Sequence, residues 1–358
     1  MPVRLDASNL PALARGCAVL GAGGGGDPEL GLAMALEAVA EHGPLTVVDA
    51  DALPADAVVM PCGLMGSPTI AQERIWSGDE GDVLAEAVQR VGGAPVGAVL
   101  PLEIGGVNGP LAVTWAARMR RPLVDADGRG RSFPELSQQA MHLAGIGVAP
   151  VVLADGHGTT LVLESDDDAR VERLARGAVT GMGGVCAVAL SCMTAAEIRD
   201  VVVAGSLSLA VALGEAMDAP SGPGRVAALV EALGAVVLIE GRARDLERRP
   251  GRGSVTVQGR GDGAARELRL ELQNEFLLAL EEGAVRAAVP DLISVLASET
   301  CEPVTTEQLH HGEHVTVIAA PAPAIWRSEA GLALAGPRAF GYDVAYAPVG
   351  GEDPGGPR

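Results

Sequence analysis

Apolar and polar positions along the first 150 residues alternate between short apolar runs and longer stretches of helical period. Cys17–Leu20 reads as a strand running into the glycines 21–26, and a helix is expected over about 27–41. Asp27 suits its N-cap, Pro28 its first position, and Glu29 the positive end of its dipole. Apolar runs at 45–51, 57–63, 98–106 and 122–127, separated by helices near 79–91 and 110–119, predict a mainly parallel sheet covered on both faces. Ligands of such sheets bind beyond the carboxyl ends of the strands, so chemistry is expected in loops 21–27, 62–69, 103–109 and 125–135.

The pattern changes near residue 149. VAPVVLADG and TTLVLES predict a hairpin turning at Asp155-Gly156-His157-Gly158. Helices over about 167–176, 194–217 and 223–233 follow, and alternating runs through 235–320 read as strands. The fold class is therefore α/β plus β-rich. An N-terminal mainly parallel α/β domain covers 1–165, and 166–358 holds a helical connection and a β-rich C-terminal domain. The segment 326–343 is expected to return toward the first domain, and the tail GGEDPGGPR to be disordered.

Composition narrows the chemistry. Hydrophobic residues make up 48% of the 358-residue chain, enough for a sizeable core. The net charge is −20 and every one of the 26 basic residues is arginine, which excludes a lysine Schiff base, a P-loop lysine and a pyridoxal-phosphate attachment site. With no basic stripe and only 2% aromatic residues, a nucleic-acid partner is not expected. Five scattered cysteines without a CxxC pair, no leader-like start and no long apolar run predict a reduced, cytoplasmic chain off the membrane.

Gly21-Ala22-Gly23-Gly24-Gly25-Gly26 fits GxGxxG, and Asp49 and Asp51 follow at the distance of a ribose-binding acid, so dinucleotide binding is one reading. Asp27-Pro28 opposes it, setting a carboxylate where a diphosphate would lie and removing an N–H donor. Cys62 in CGLMGSPT is either a nucleophile or a buried thiol. In Glu103-Ile-Gly-Gly-Val-Asn108, a carboxylate at a strand end stands five residues from an amide, with Asn108 alternatively a helix cap. Asp125-Ala-Asp127-Gly-Arg129 is the densest polar cluster; its carboxylates at i and i+2 suit a shared proton or a cation, and Arg129 suits an anionic intermediate. His310, His311 and His314 lie close in sequence, but no spaced metal motif is present. No cofactor is called for, and a divalent ion built from distant loops stays open.

Together GAGGGGDP (21–28), LEIGGVNG (102–109), VDADGRGRSFPEL (124–136), QNEFLLAL (273–280), PDLISVL (290–296), EPVTTEQL (302–309), VTVIAAPAP (315–323) and GPRAFGYD (336–343) resemble the S-methyl thiohydantoin desulfurase family, in order and over nearly the whole chain. The resemblance implies a two-domain protein that removes sulfur from a small thiohydantoin-type ring to give a hydantoin. Water activated by a carboxylate with a raised pKa would add to the carbon bearing sulfur. Asp27, Glu103 and Asp125 are the candidate bases and Arg129 the anion stabiliser. Gly24, Gly25, Gly66, Thr69, Gly106, Asn108, Asp127, Glu135 and Asn274 are the candidate substrate contacts. The alternatives are a nucleotide-dependent enzyme using the Gly21–Gly26 loop and a non-catalytic partner of a hydantoinase. A small-molecule substrate and a homo-oligomer are expected.

Overall fold

The computed structural model describes residues 4–220, 222–249, 251–260 and 266–350, so the tail 351–358 lies outside the described residues. The chain divides into two compact units, one formed by 1–17 and 26–211 and the other by 18–25 and 212–358. The helices and strands of 166–211 thus belong with the α/β unit.

The first unit is built on a mixed sheet in the order Arg4–Leu5, Leu45–Val48, Leu123–Val124, Val96–Pro101, Val58–Gly66, Val185–Ala189, Val151–Ala154, Thr160–Leu163. Its centre is parallel: Leu45–Val48 runs beside Leu123–Val124, which neighbours Val96–Pro101, which neighbours Val58–Gly66. From Val58–Gly66 outward the pairing turns antiparallel. Val96–Pro101 is an almost unbroken apolar, buried run, as a strand covered on both faces must be. The hairpin Val151–Ala154/Thr160–Leu163 forms where the sequence predicts it.

Two helices show how local chemistry sets the frame. Pro28–His42 starts on Asp27, whose Oδ1 accepts from Glu29 N at 2.9 Å, with Pro28 in the first turn. Glu80–Gly92 has Glu80 and Asp82 in its first turn, Arg90 in its last, and Gly93 left-handed at φ +76° beyond it. Asn108–Met119 is buried along nearly its whole length. Pro28–His42 approaches it closely because Gly31 has no side chain; a Cβ there would stand 2.9 Å from Val107 O.

Leu10–Leu20 is a helix, which corrects the strand expected over Cys17–Leu20. The glycine run therefore joins two helices, and the strand–loop–helix setting on which the dinucleotide reading depends is absent here. Val185–Ala189, a buried strand, was not expected, and the predicted helix 194–217 is two helices, Ala195–Ile198 and Ser206–Ala216, with a short strand between them.

The second unit is a seven-stranded antiparallel sheet in the order Ala284–Ala288, Phe276–Glu281, Glu267–Leu272, Arg252–Gly259, Val236–Arg249, His314–Ala320, Leu292–Ala297. Alternate residues such as Ala243, Val255, Val257, Leu268, Leu270, Val315 and Val317 fill its core. The segment 326–343 belongs to this unit, where Gln273 Nε2 and Arg252 donate to the carbonyls of Phe340 and Gly341.

Gly81 faces the Trp115 side chain, and a Cβ there would lie 2.4 Å from the indole. Gly81→Ala should therefore cost about 1–3 kcal/mol in urea unfolding. Gly92→Ala, at a helical position with nothing within 4 Å of the added methyl, should be neutral or slightly stabilising in the same measurement.

Candidate functional site

In the first unit the ends of Val96–Pro101 and Ala126–Asp127 bring four of the predicted residues together: Glu103, Asn108, Asp127 and Arg129. All four are buried. Glu103 Oε2 accepts from Arg129 Nη1 at 2.6 Å and from Phe133 N at 3.2 Å, while Oε1 accepts from Asn108 Nδ2 at 2.8 Å. Asn108 Oδ1 in turn accepts from Leu64 N at 2.8 Å. Its amide links the start of its helix to strand Val58–Gly66, instead of capping the helix.

Arg129 spends its remaining donors on fixed acceptors. Nη1 also donates to Phe133 O, and Nη2 donates to Glu135 O at 2.8 Å. With its amide oriented to satisfy its neighbours, Gln139 accepts from Arg129 Nε at 2.6 Å and Nη2 at 2.9 Å, and donates to Leu102 O at 3.2 Å. Gln139 comes this close because residue 128 is glycine; a Cβ there would stand 1.8 Å from the amide. The guanidinium is thus a cross-brace for Glu103 and the turn 133–135, rather than a cation waiting for an anionic ring.

Asp127 is built differently. Its Oδ2 collects three backbone N–H groups, from Ile104 at 2.9 Å, Arg129 at 3.0 Å and Gly130 at 2.8 Å. Burial pushes its carboxyl up to about 6; the N–H groups and the nearby Ser206 hydroxyl oppose this shift without cancelling it. Although Ser206 is close enough to exert that influence, neither Asp127 Oδ1 nor Ser206 Oγ completes a hydrogen bond of ordinary geometry. One oxygen of a carboxyl titrating near neutrality is therefore held, and the other is left without a donor.

The remaining predicted residues lie apart from this cluster. Asp125, two residues from Asp127, faces another element: its carboxylate accepts from Ser208 N at 3.0 Å and from Ser208 Oγ, at the start of helix Ser206–Ala216. The proton-sharing or cation-binding pair expected of Asp125 and Asp127 is thus not formed. Asp27 caps its helix and accepts from Gln72 Nε2 at 3.4 Å. Gly66 lies against Gly184 O, and Thr69 is exposed on the short helix Pro68–Glu73. Gly106 N donates to Cys17 O at 2.8 Å. Glu135 offers Arg129 its carbonyl, and its residue is exposed.

Gly24 and Asn274 belong to the second unit. A Cβ on Gly24 would meet Glu275 Oε1 at 2.6 Å and Asn274 O at 3.0 Å. Ala22 O accepts from Phe276 N at 2.8 Å and Gly23 O from Thr306 N at 2.9 Å. The first part of the glycine loop is therefore backbone packed against 274–276 and 306, and Gly25 continues it with φ +77°.

Cys62 is buried, and burial pushes its thiol far up, with Cys192 adding to the effect, which argues against a nucleophile. Among the described residues no group of three or more His, Cys, Asp or Glu is placed to hold a metal. No helix among them is long and apolar enough to cross a membrane. Sequence reasoning missed Gln139 and Ser206, and it placed Asp127 as a substrate contact rather than as the carboxyl with the raised pKa.

Two family models match the chain, the S-Me-THD-like N-terminal domain over residues 8–165 and the S-Me-THD-like C-terminal domain over 165–349. A crystal structure of a protein from Chromobacterium violaceum is 25% identical, with a TM-score of 0.79 over 97% of this chain and 100% of that one. No match was found among curated proteins.

Two stability outcomes follow from the cluster. Arg129→Met leaves Glu103 buried without its cation and should cost about 3–5 kcal/mol in denaturant unfolding, with Glu103→Gln recovering part of the loss in the double variant. Asp127 titrates higher in the folded chain than its ordinary 3.8, so its favourable contribution is complete below about pH 4 and is lost as pH rises through about 6. Asp127→Asn should flatten the pH dependence of stability across that window by up to about 3 kcal/mol and be no less stable than the wild type at pH 7.

Proposed function

The chain belongs to the S-Me-THD-like family, the S-methyl thiohydantoin desulfurases, and on that premise we propose that it hydrolyses the carbon–sulfur bond of a small S-methylated thiohydantoin-type ring, with Asp127 as the base that activates water. The family name points to thiohydantoin chemistry. The observation that carries the choice of base is the Asp127 carboxyl, raised to about 6 by burial and with Oδ1 left without a donor beside Ser206.

The reaction balances with water alone. The oxygen of water bonds to the ring carbon bearing sulfur as Asp127 Oδ1 takes one proton, giving a tetrahedral adduct. Collapse of that adduct breaks the C–S bond, and the departing sulfur leaves as methanethiol with a proton returned from Asp127. The second proton of the water goes to a ring nitrogen, and the product is the hydantoin. A base with a pKa near 6 is ionised enough at neutral pH to take the first proton and acidic enough to give it back. Three N–H donors on Oδ2 fix the direction in which Oδ1 points.

Glu103, with Asn108 and Arg129 on its two oxygens, serves this reading as support for the turn that holds Asp127. Ile104, the residue after Glu103, donates to Asp127, and so does Arg129 through its own backbone. Asp127 has no exposed surface in this conformation, so the reading includes an opening of the adjoining turn at Gly205 and Ser206 to admit the ring.

Incubation with S-methyl thiohydantoins and assay of free thiol tests the proposal. The wild type should release thiol, at a rate that rises with pH through about 6 and then levels as the base ionises. Asp127→Asn should lose about 100- to 10,000-fold in kcat while its unfolding midpoint at pH 7 is retained. Release by that variant at the wild-type rate would remove Asp127 as the base. No release by folded wild-type protein would remove the substrate assignment.

A further inference from the structure

In the first unit, away from the Asp127 cluster, a surface cleft of about 440 Å³ is lined by Ile70, Glu73, Arg74, Asp155, His157 and Met182, with Gly181 and Gly183 at the end of helix Asp168–Gly181. Its volume lies within the range of about 300–1,000 Å³ usual for small-ligand sites. We propose that this cleft binds a small zwitterion with an apolar side chain, a ligand of the free amino acid type.

Two opposite charges in the cleft are held rigidly and apart from each other. Arg74 Nη1 donates to Val185 O at 2.8 Å, and its guanidinium lies 4.6 Å from the centre of the Trp76 ring. Asp155 is nearly buried, and its Oδ1 accepts from His157 N at 2.8 Å and Thr159 N at 3.0 Å. Both side chains line the same cleft. A Cβ on Gly156 would stand 3.0 Å from Arg74 Nη2, and both charges act on the same buried thiol, Cys186.

A guanidinium and a carboxylate that are each braced by other groups and line one cleft suit a ligand that carries both complements. Burial alone would raise Asp155, but the N–H donors of His157 and Thr159 win and keep it below its ordinary value, so it is an anion at neutral pH.

The other walls fit the same ligand. Glu73 and the carbonyl end of helix Asp168–Gly181 add negative character beside Asp155 for an ammonium group. Arg74 supplies the guanidinium for a carboxylate. Ile70, 38% exposed, and Met182 give the side chain an apolar surface. A lone anion or a lone cation would satisfy one wall and face repulsion from the other.

Calorimetric titration of the full-length protein with L-leucine is the test, alongside 4-methylpentanoate, which lacks the ammonium, and 3-methylbutylamine, which lacks the carboxylate. Leucine should bind saturably below about 10 mM, with each control at least about tenfold weaker. Arg74→Gln and Glu73→Gln should each weaken leucine about tenfold with the thermal midpoint retained. Absence of saturable heat with leucine, equal binding of either control, or undiminished affinity in both variants would overturn the proposal. Asp127 and its partners lie outside this cleft, so failure here leaves the desulfurase reading untouched.

Discussion

Burying Glu103 and Arg129 together is the constraint on which the strand-end cluster rests. Either charge alone would be costly so far from water, and the pair is tolerated because both carboxylate oxygens and the guanidinium N–H groups find partners. Glu103 receives an amide, a guanidinium and a backbone N–H; Arg129 gives to a carboxylate, two carbonyls and an amide. Charge balance inside this network leaves Asp127 without a cation of its own. Backbone dipoles are what it has, and they do not outweigh the loss of water. The raised carboxyl is thus a consequence of where the arginine is spent.

Arginine recurs in that bracing role across both units. Arg74 donates to Val185 O, Arg176 to Pro134 O, Arg225 to the carbonyls of Ala219 and Thr300, Arg248 to those of Thr306 and Leu309, and Arg266 to Leu238 O. A guanidinium is planar, permanently charged and carries donors in a fixed fork, so one side chain can serve two carbonyls of an irregular segment; an ammonium is a poorer brace for that geometry. In a chain of net charge −20 with no lysine, the cations serve as clamps on the backbone as well as partners for carboxylates. Five of these acceptors, at Pro134, Ala219, Thr300, Thr306 and Leu309, lie in loops, where carbonyls lack ladder partners, while Val185 and Leu238 are strand residues.

Periodicity made most of the architecture legible, because strands buried on both faces and amphipathic helices leave different spacings. It failed at Leu10–Leu20, where the short apolar run Cys17–Leu20 before glycines satisfies a strand and a helix end equally well. It failed again at Val185–Ala189, whose flanking glycines resemble a loop. Within the cluster, Glu103, Asn108, Asp127 and Arg129 were legible because strand ends in an α/β sheet gather polar residues. Asp125 was misread for a geometric reason. The chain breaks between Leu123–Val124 and Ala126–Asp127, so the i, i+2 rule that would set Asp125 and Asp127 on one face does not hold. Gln139 and Ser206 left no local signal, since their relevance comes from turns that only the folded chain brings near Arg129 and Asp127.

The difference between the two buried acids bears on which of them can move a proton. Glu103 is compensated by a guanidinium at 2.6 Å, and both of its oxygens are already committed to donors. Asp127 has the reverse balance: protonation relieves an unpaired buried anion, and ionisation regains three N–H bonds. Two states of similar free energy near neutral pH are what a group must have if it is to accept a proton from water and return it to a departing sulfur within one cycle. In the proposed reaction a neutral ring would add no charge of its own to this arrangement, so that balance would survive binding. On the proposed reading a leaving thiol needs little help beyond that proton, which places the demand on the base rather than on an anion hole, in keeping with an Arg129 whose donors are already committed.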